Sequence, residues 1–406
     1  MREPKAPLPL ADLKVLDFSW VVAGPLIGRS LADYGATVVR IDSSRRVETA
    51  RLMGPFPSGK LDPQQSTLYE NCNAGKLGLS LDLRVPAARD VARDLAAWAD
   101  VVIESFTPGQ MAKWGMGFED LKVRNPELVM ISTSLMGQSG PYRSFSGYGN
   151  HGAAVAGFQN IVGPEGGTPI GPFGPYTDFV APRFGLFALL AALDYRRRTG
   201  EGAWLDVSQS EAGMQFLAPH IAHTSVTGES LHAMGNRDLA MAPHGVFRAA
   251  GWDQWVAIAV RDDQEWARLA MIIGGEALDS RYATLEGRKA HEAALERLVE
   301  TWTTTRTPGQ VEADFLALQI PGHQAVATEE FMADPQLAAR EHFVRLDHPL
   351  MGRALVEGSR YRLSDTPAQY LRSAPIWGRD NDHVLRDILG YGEDRIAVLQ
   401  AADCLA

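Results

Sequence analysis

The chain of 406 residues is poor in the features that mark several common protein classes. It holds two cysteines, Cys72 and Cys404, far apart and in neither a CxxC nor a Cys/His cluster with zinc-like spacing. That argues against a disulfide framework and a structural zinc site, and it fits a reducing compartment. A basic balance is lacking too. Thirty-nine Lys and Arg against 49 Asp and Glu leave a formal charge of -10, which disfavours long-range attraction to nucleic acid or anionic lipid. The opening MREPKAPLPLADLKV has no apolar signal core, and the uncharged run Phe184–Leu193 falls well short of the ~20 residues that span a bilayer. No GxGxxG follows the first strand pattern, which disfavours a nicotinamide dehydrogenase. The expectation is a cytoplasmic protein with small-molecule partners and no nucleic acid or membrane. What the chain does have is length and a core: 45% hydrophobic residues place it among globular proteins, and its length predicts more than one domain.

Over the first 135 residues short β-branched runs alternate with helical patterns: KVLDFSW, GPLIGRSLADYG, ATVVRID, AARDVARDLAAWA, DVVIESF and LVMISTS. This predicts an α/β fold with a parallel sheet, its helices over Gly24–Tyr34 and Ala87–Trp98. Gly54–Ser66 reads as a loop, and Ser146–Pro175 as a loop-rich site region. Residues 1–223 are assigned to a large domain, and 224–324 to a small α/β domain with two strands around Gly251 and helices over Asp263–Ile273 and Ala290–Thr301. Residues 325–406 form a C-terminal segment without an evident core of its own. It returns to the large domain or to a partner chain and ends in a helix near Asp380–Gly390.

Asp178 lies between a Gly/Pro-rich loop and an apolar helix pattern that closes on Arg196–Arg198 and Gly200. Asp is a preferred helix N-cap, so capping is the plain reading. A nucleophilic carboxylate is the other: it needs to be ionised, reachable past small residues and near amides that stabilise an oxyanion, and Gly171, Gly174 and the helix start offer that setting.

Several stretches carry a resemblance that decides between the two. They are VLDFSWVVAGPLIGRSLADYGATVVRID (Val15–Asp42), NAGKLGLSLDL (Asn73–Leu83), ADVVIESFTPGQMAKWGMGFEDL (Ala99–Leu121), SLMGQSGPY (Ser134–Tyr142), GPYTDFVAPRFGLFALLAALDYRRRTGEG around Asp178, and DPQLAAREHFVRLDHP (Asp334–Pro349). In this order they resemble the family III coenzyme A transferases, which include formyl-CoA, carnitine-CoA and benzylsuccinate-CoA transferases and the related alpha-methylacyl-CoA racemases. The resemblance implies a Rossmann-like large domain with a smaller domain, an interlocked homodimer (a heteromer in some relatives), and coenzyme A as part of an acyl-CoA substrate, with no permanently bound cofactor and no metal. It also implies Asp178 as the catalytic nucleophile.

For CoA binding the resemblance points to Val21, Val22, Arg40, Lys76, Ser105, Phe106, Lys113 and Tyr148. Val22 replaces an amide side chain of formyl-CoA transferases, which argues against a small polar acid such as oxalate. Lys76 is expected at a CoA phosphate, with Ala74 where an Arg is common. Ser105 and Phe106 stand for an Asn-Phe pair whose aromatic packs on adenine, and Lys113 replaces an Arg, keeping charge but losing its fork. Tyr148 stands where the racemases have a proton-transferring His. His151 is the nearest substitute and has a plain structural reading. The poly-glycine loop is missing, and Gly235 and Asn236 of MGNRDLAMAPHGVF are its nearest equivalents. Trp20, Val22 and Phe173 are expected to line the acyl site, which suggests a bulky, apolar or aromatic acceptor acid with a succinyl-CoA-like donor. The alternatives are a 2-methylacyl-CoA racemase and a non-catalytic CoA-binding subunit of a heteromer.

Overall fold

The computed structural model describes residues 5–405, which form two compact units. The larger comprises the chain up to Phe158, Pro172–Glu229 and the stretch from Gln336 onward; the smaller comprises Gln159–Gly171 and Ser230–Pro335. The small unit thus includes a segment from within the loop region before Asp178, which the reading of 224–324 left with the large domain.

The large unit is built on six parallel strands: β1 (Lys14–Asp17), β2 (Thr37–Asp42), β3 (Leu77–Ser80), β4 (Val101–Glu104), β5 (Val129–Ser134) and β6 (Ala203–Ser208). Their order is β3-β2-β1-β4-β5-β6, so the winding reverses between β1 and β4. The strands alternate between the faces, as a sheet covered on both sides requires. Leu16, Val39, Val102 and Met130 face one layer, made by helix Pro86–Trp98 (Ala88, Val91, Leu95) and by Val384, Leu385, Ile396 and Leu399 of the tail. Val15, Val38, Ile103, Val129 and Ile131 face the other, made by Ile27 and Leu31 of helix Ala23–Ala32 and by Leu189 and Ala192 of helix Tyr176–Thr199.

The tail therefore packs on the large unit. It does not end in a helix near Asp380–Gly390: a short π-helical turn occupies His383–Ile388, and helix Glu393–Ala401 follows Gly392. The Gly390-Tyr391-Gly392 break resembles a helix stop in sequence and is here the joint between the two. The small unit carries an antiparallel sheet of β7 (His244–Arg248), β8 (Trp255–Ala259) and β9 (Gly322–Gln324), with helices Asp263–Ile273, Glu292–Thr303 and Pro308–Leu318 packing Trp266, Leu269, Leu295, Val299 and Phe315 against Val256 and Ile258.

Helix Tyr176–Thr199 has 24 residues and is by length and composition apolar enough to cross a membrane, longer than the uncharged run suggested. One side of it is buried in the large unit. Phe179, Phe184, Phe187 and Leu190 stay exposed, as do Phe216 and Ile221 further along the chain.

Candidate active site

Ligands of doubly wound sheets bind outside the carboxyl ends of the strands, near the point where the winding reverses. A pocket opens there, lined by Phe18 and Trp20 after β1, Ile41–Ser43 and Arg46 at the end of β2, Leu81–Arg84 after β3, and Phe106 and Trp114 after β4. Phe106 makes edge contacts with Trp20 (5.8 Å between ring centroids) and with Trp114 (5.3 Å). The Arg46 guanidinium lies 5.3 Å from the Trp20 ring and has no acidic partner among the described residues. Arg84 is held on Asp82 by three hydrogen bonds of 2.6–3.2 Å. Aromatic faces take a flat base, and an arginine without a counter-charge takes a phosphate, so the pocket has the chemistry of a nucleotide end.

The backbone around this pocket is tightly held. Ser105 Oγ accepts from the Trp20 N–H (2.8 Å), and Glu104 accepts from the Phe106 N–H (2.7 Å). Burial pushes the Glu104 carboxyl up to about 7, against the hydrogen bonds from Ser132 and Phe106. Val21 has φ 66°, a left-handed conformation that is rare for a β-branched residue, and its N–H donates to Glu48 Oε2 (3.0 Å).

Arg40 and Lys76 lie beneath that loop, and their expected roles are corrected. Both are fully buried. The Lys76 ammonium donates to Asp17 Oδ2 (2.7 Å), to the Pro25 carbonyl (2.8 Å) and to Asn73 Oδ1 (2.8 Å), which uses all three of its donors. Arg40 donates to the Ser19 carbonyl (2.7 Å) and to Glu48 (3.1 Å), and lies 3.7 Å from Asp17. Neither lines the pocket; both are enclosed beneath the loop that carries Trp20 and Val21 and stiffen it. Val22 is likewise core, packed with Leu26 and Cys72. Lys113 is exposed beside Trp114 and does not line the pocket. Sequence reasoning missed Arg46 and Trp114, although Trp114 stands in the quoted MAKWGMG and Arg46 in an SSRR run right after β2.

Asp178 is built differently from a helix cap. The cap position of its helix is Pro175, no side chain caps the end, and Asp178 is the third helical residue. Its carboxylate turns to another helix, Gly149–Ala156, and Oδ2 accepts from the Gly149 N–H at 3.1 Å. A Cβ on residue 149 would lie 2.4 Å from the Pro175 carbonyl oxygen and 2.5 Å from the Asp178 nitrogen, so only glycine lets the two helix ends meet. Thr177 closes the joint, its hydroxyl donating to the Gly149 carbonyl (3.1 Å). Asp178 is 5% exposed. Burial raises its carboxyl to about 6, and the hydrogen bonds from Gly149 and Gln209 pull the other way. No cation figures among the causes of this shift, so the carboxylate is held by dipoles at a helix's positive end.

The remaining candidates fall in different places. Tyr148, just before Gly149, is exposed, and its N–H donates to His151 Nδ1 (3.2 Å). His151 thus serves the helix start, its plain reading. Phe173 is fully exposed on the loop before Asp178, and Trp20 belongs to the aromatic pocket. Trp20, Val22 and Phe173 are therefore not gathered into one acyl-binding wall within the large unit. Gly235 and Asn236 line an open depression of the small unit together with His244 and His323. Among the described residues no group of three or more His, Cys, Asp or Glu is placed to hold a metal ion.

A doubly wound sheet with an aromatic and basic pocket at its switch point, and a buried carboxylate held by a helix N-terminus, defines an enzyme suited to acyl transfer from a nucleotide-bearing substrate. A sequence model described as CoA-transferase family III matches residues 10–381, and the chain belongs to that family. It is 31% identical over 413 residues to succinyl-CoA–D-citramalate CoA-transferase of Chloroflexus aurantiacus, covering 99% of both chains. It is 30% identical over 402 residues to the beta subunit of succinyl-CoA–L-malate CoA-transferase of the same organism, covering 97% of both. The crystal structure of a CaiB/BaiF family protein from Brucella suis matches with a TM-score of 0.86 at 28% identity, covering 95% of this chain and all of that one. The protein is a CoA-transferase, and it acts on CoA thioesters.

Proposed function

We propose that the enzyme moves CoA from succinyl-CoA to a second carboxylic acid through covalent intermediates on Asp178. The observation that carries this reading is the Asp178 carboxylate itself: buried, unpaired with any cation, and bound through one oxygen to the Gly149 N–H. Its other oxygen attacks the donor thioester carbonyl; the C–S bond breaks, leaving an acyl-aspartyl anhydride and CoA thiolate. The thiolate attacks the aspartyl carbonyl, forming an aspartyl-CoA thioester and releasing succinate. The acceptor carboxylate then attacks the same carbonyl and expels CoA thiolate. The thiolate takes the acceptor's acyl group from the new anhydride and frees Asp178. No general base is required, because a carboxylate with a pKa of about 6 is ionised at neutral pH. The raised pKa also makes it a better nucleophile than an ordinary aspartate. As Asp178 Cγ becomes tetrahedral, the Gly149 amide faces the developing oxyanion.

The acceptor we propose is a short dicarboxylate. The similar enzymes named above pair succinyl-CoA with D-citramalate and L-malate, and the residues that suggested a bulky apolar acid are not assembled into one wall. The test is a panel of dicarboxylates and of aromatic and branched monocarboxylates incubated with succinyl-CoA and read by mass spectrometry. New thioesters of the dicarboxylates are expected; exclusive use of the apolar acids would restore the bulky-acid reading. On the best acceptor, kcat/KM for succinyl-CoA should fall tenfold per pH unit below a pKa of about 6, since protonated Asp178 cannot attack. A flat profile down to pH 4.5 would show that the carboxylate is not raised.

The working unit we propose is a homodimer, supported by the exposed Phe179, Phe184, Phe187 and Leu190 on one helix. Light scattering should give twice the chain mass at micromolar concentration, and Phe187→Asp should shift it toward the monomer; a monomeric wild type would remove the proposal.

A further inference from the structure

A third helix, Gln209–Met214, follows β6 directly and meets Asp178. Ser208 caps it, Oγ accepting from the Glu211 N–H at 3.3 Å, and Ser210 is pinned to the Leu135 carbonyl through its N–H (3.1 Å) and its hydroxyl (2.9 Å). The Gln209 side chain is therefore not needed at the helix end. It is buried, its Oε1 accepts from the Thr177 hydroxyl at 3.4 Å, and its amide donates to the Asp178 carboxylate. The joint is close: a Cβ on Gly213 would lie 2.9 Å from Thr177 Cγ2, and one on Gly152 would lie 2.3 Å from Thr177 Oγ1. Three helices thus crowd onto residues 177 and 178. The Asp178 carboxylate has two donors there, the Gly149 N–H and the Gln209 amide. Tyr176 and Arg183 of its own helix, His151 of the second and Glu211 of the third do not figure among the causes of its raised pKa.

We infer that Gln209 is a catalytic residue of the CoA transfer: its side-chain amide is the second donor, beside the Gly149 N–H, to the oxyanion that forms when Asp178 Cγ is attacked. The inference rests on Asp178 as the nucleophile. A carboxylate spreads its charge over two oxygens, whereas the tetrahedral oxyanion concentrates it on one, so a donor already in place gains more in the transition state than in the ground state. The structure supplies that placement. Thr177 takes the amide oxygen, which leaves the nitrogen for Asp178, and a buried side chain held at both ends has little rotamer freedom left to lose during the reaction. The same bond opposes the effect of burial on the Asp178 carboxyl, so its loss moves that carboxyl further up.

Gln209→Met keeps the length of the side chain and removes the amide. It should lower kcat about a hundredfold with KM for succinyl-CoA within about twofold of wild type, and the acid limb of kcat/KM should move to higher pH. Gln209→Glu sets a second carboxylate against Asp178 and should move the limb further in the same direction. A readout without turnover accompanies both. The difference in melting temperature between wild type and Asp178→Asn, followed from pH 4 to 8, reports the Asp178 pKa, and in the Gln209→Met background its rise should continue to higher pH. An unmoved limb and an unmoved melting window in the two variants would overturn the inference, as would a lower melting temperature with kcat retained, which marks a packing role. The control is Asp178→Asn itself. If it still turns over, the nucleophile reading falls and the role of Gln209 with it; if it is inactive while Gln209→Met keeps the wild-type kcat, only Gln209 is removed from the chemistry.

Discussion

Asp178→Asn is expected to lower CoA transfer by about a thousandfold or more while raising the melting temperature. The two effects share one cause. Burial lifts the Asp178 carboxyl from 3.8 to about 6, so the folded protein holds this proton more tightly than the unfolded chain does. Between pH 4 and 6 the folded state then binds more protons than the unfolded one, and stability falls as pH rises through that window. Above pH 6 the folded protein bears the full cost of a buried carboxylate without a cation, about 3 kcal/mol as an upper estimate from the shift. Asparagine keeps the shape and an oxygen to accept the Gly149 N–H, and it removes the charge. At pH 7.5 the variant should therefore melt several degrees higher, with most of the difference gone near pH 4, where the folded carboxyl is protonated and the unfolded one, of pKa 3.8, is partly so. A helix cap predicts the reverse, a loss of about 1 kcal/mol with turnover spared. Scanning calorimetry at pH 4 and 7.5 beside a transfer assay separates the two, and a variant that melts lower yet keeps transferring would return Asp178 to a capping role.

The parallel strands were legible because their β-branched runs are short, apolar on both faces and spaced by helical patterns. β1, β2, β4 and β5 fall where KVLD, TVVRID, VVIE and VMISTS predict them. β3 was not read as a strand: LGLS is four residues long and contains Gly78, which has weak strand preference and is placed by pairing with β2. The site was legible in part. Asp178 and the aromatic Phe106 stand in recognisable stretches, but the partner that fixes Asp178 does not. GNHGAAVA looks like a loop because glycine is a poor helix former, yet Gly149 and Gly152 allow that helix to lie against Thr177 with no Cβ between. A pattern of local preferences cannot signal a contact that depends on a missing side chain. The reading of Lys76 and Arg40 failed for a related reason. Charge in sequence suggests solvent or ligand, and only the folded packing shows that acids from β1 and from Glu48 meet them in the interior.

That interior network gives the second large effect. Lys76→Met should cost about 3–5 kcal/mol, because it preserves side-chain length while leaving the Asp17 carboxylate buried without its ammonium partner. Burial alone raises the Asp17 carboxyl, and the charges of Lys76 and Arg40 outweigh it and hold it below the usual carboxylate range. With Lys76 gone, Asp17 retains Arg40 at 3.7 Å and the Ser19 backbone N–H, and Arg40 is already drawn toward Glu48. The disturbance then reaches function along a short path. Glu48 holds the Val21 N–H in its left-handed conformation, and Trp20, one residue earlier, forms the wall of the aromatic pocket. A lower urea midpoint is therefore expected together with a higher KM for succinyl-CoA, and Arg46→Gln should raise that KM with the midpoint unchanged. If Lys76→Met raised KM while keeping the wild-type midpoint, the lysine would be a ligand to the CoA phosphate after all and the buried network would be wrong.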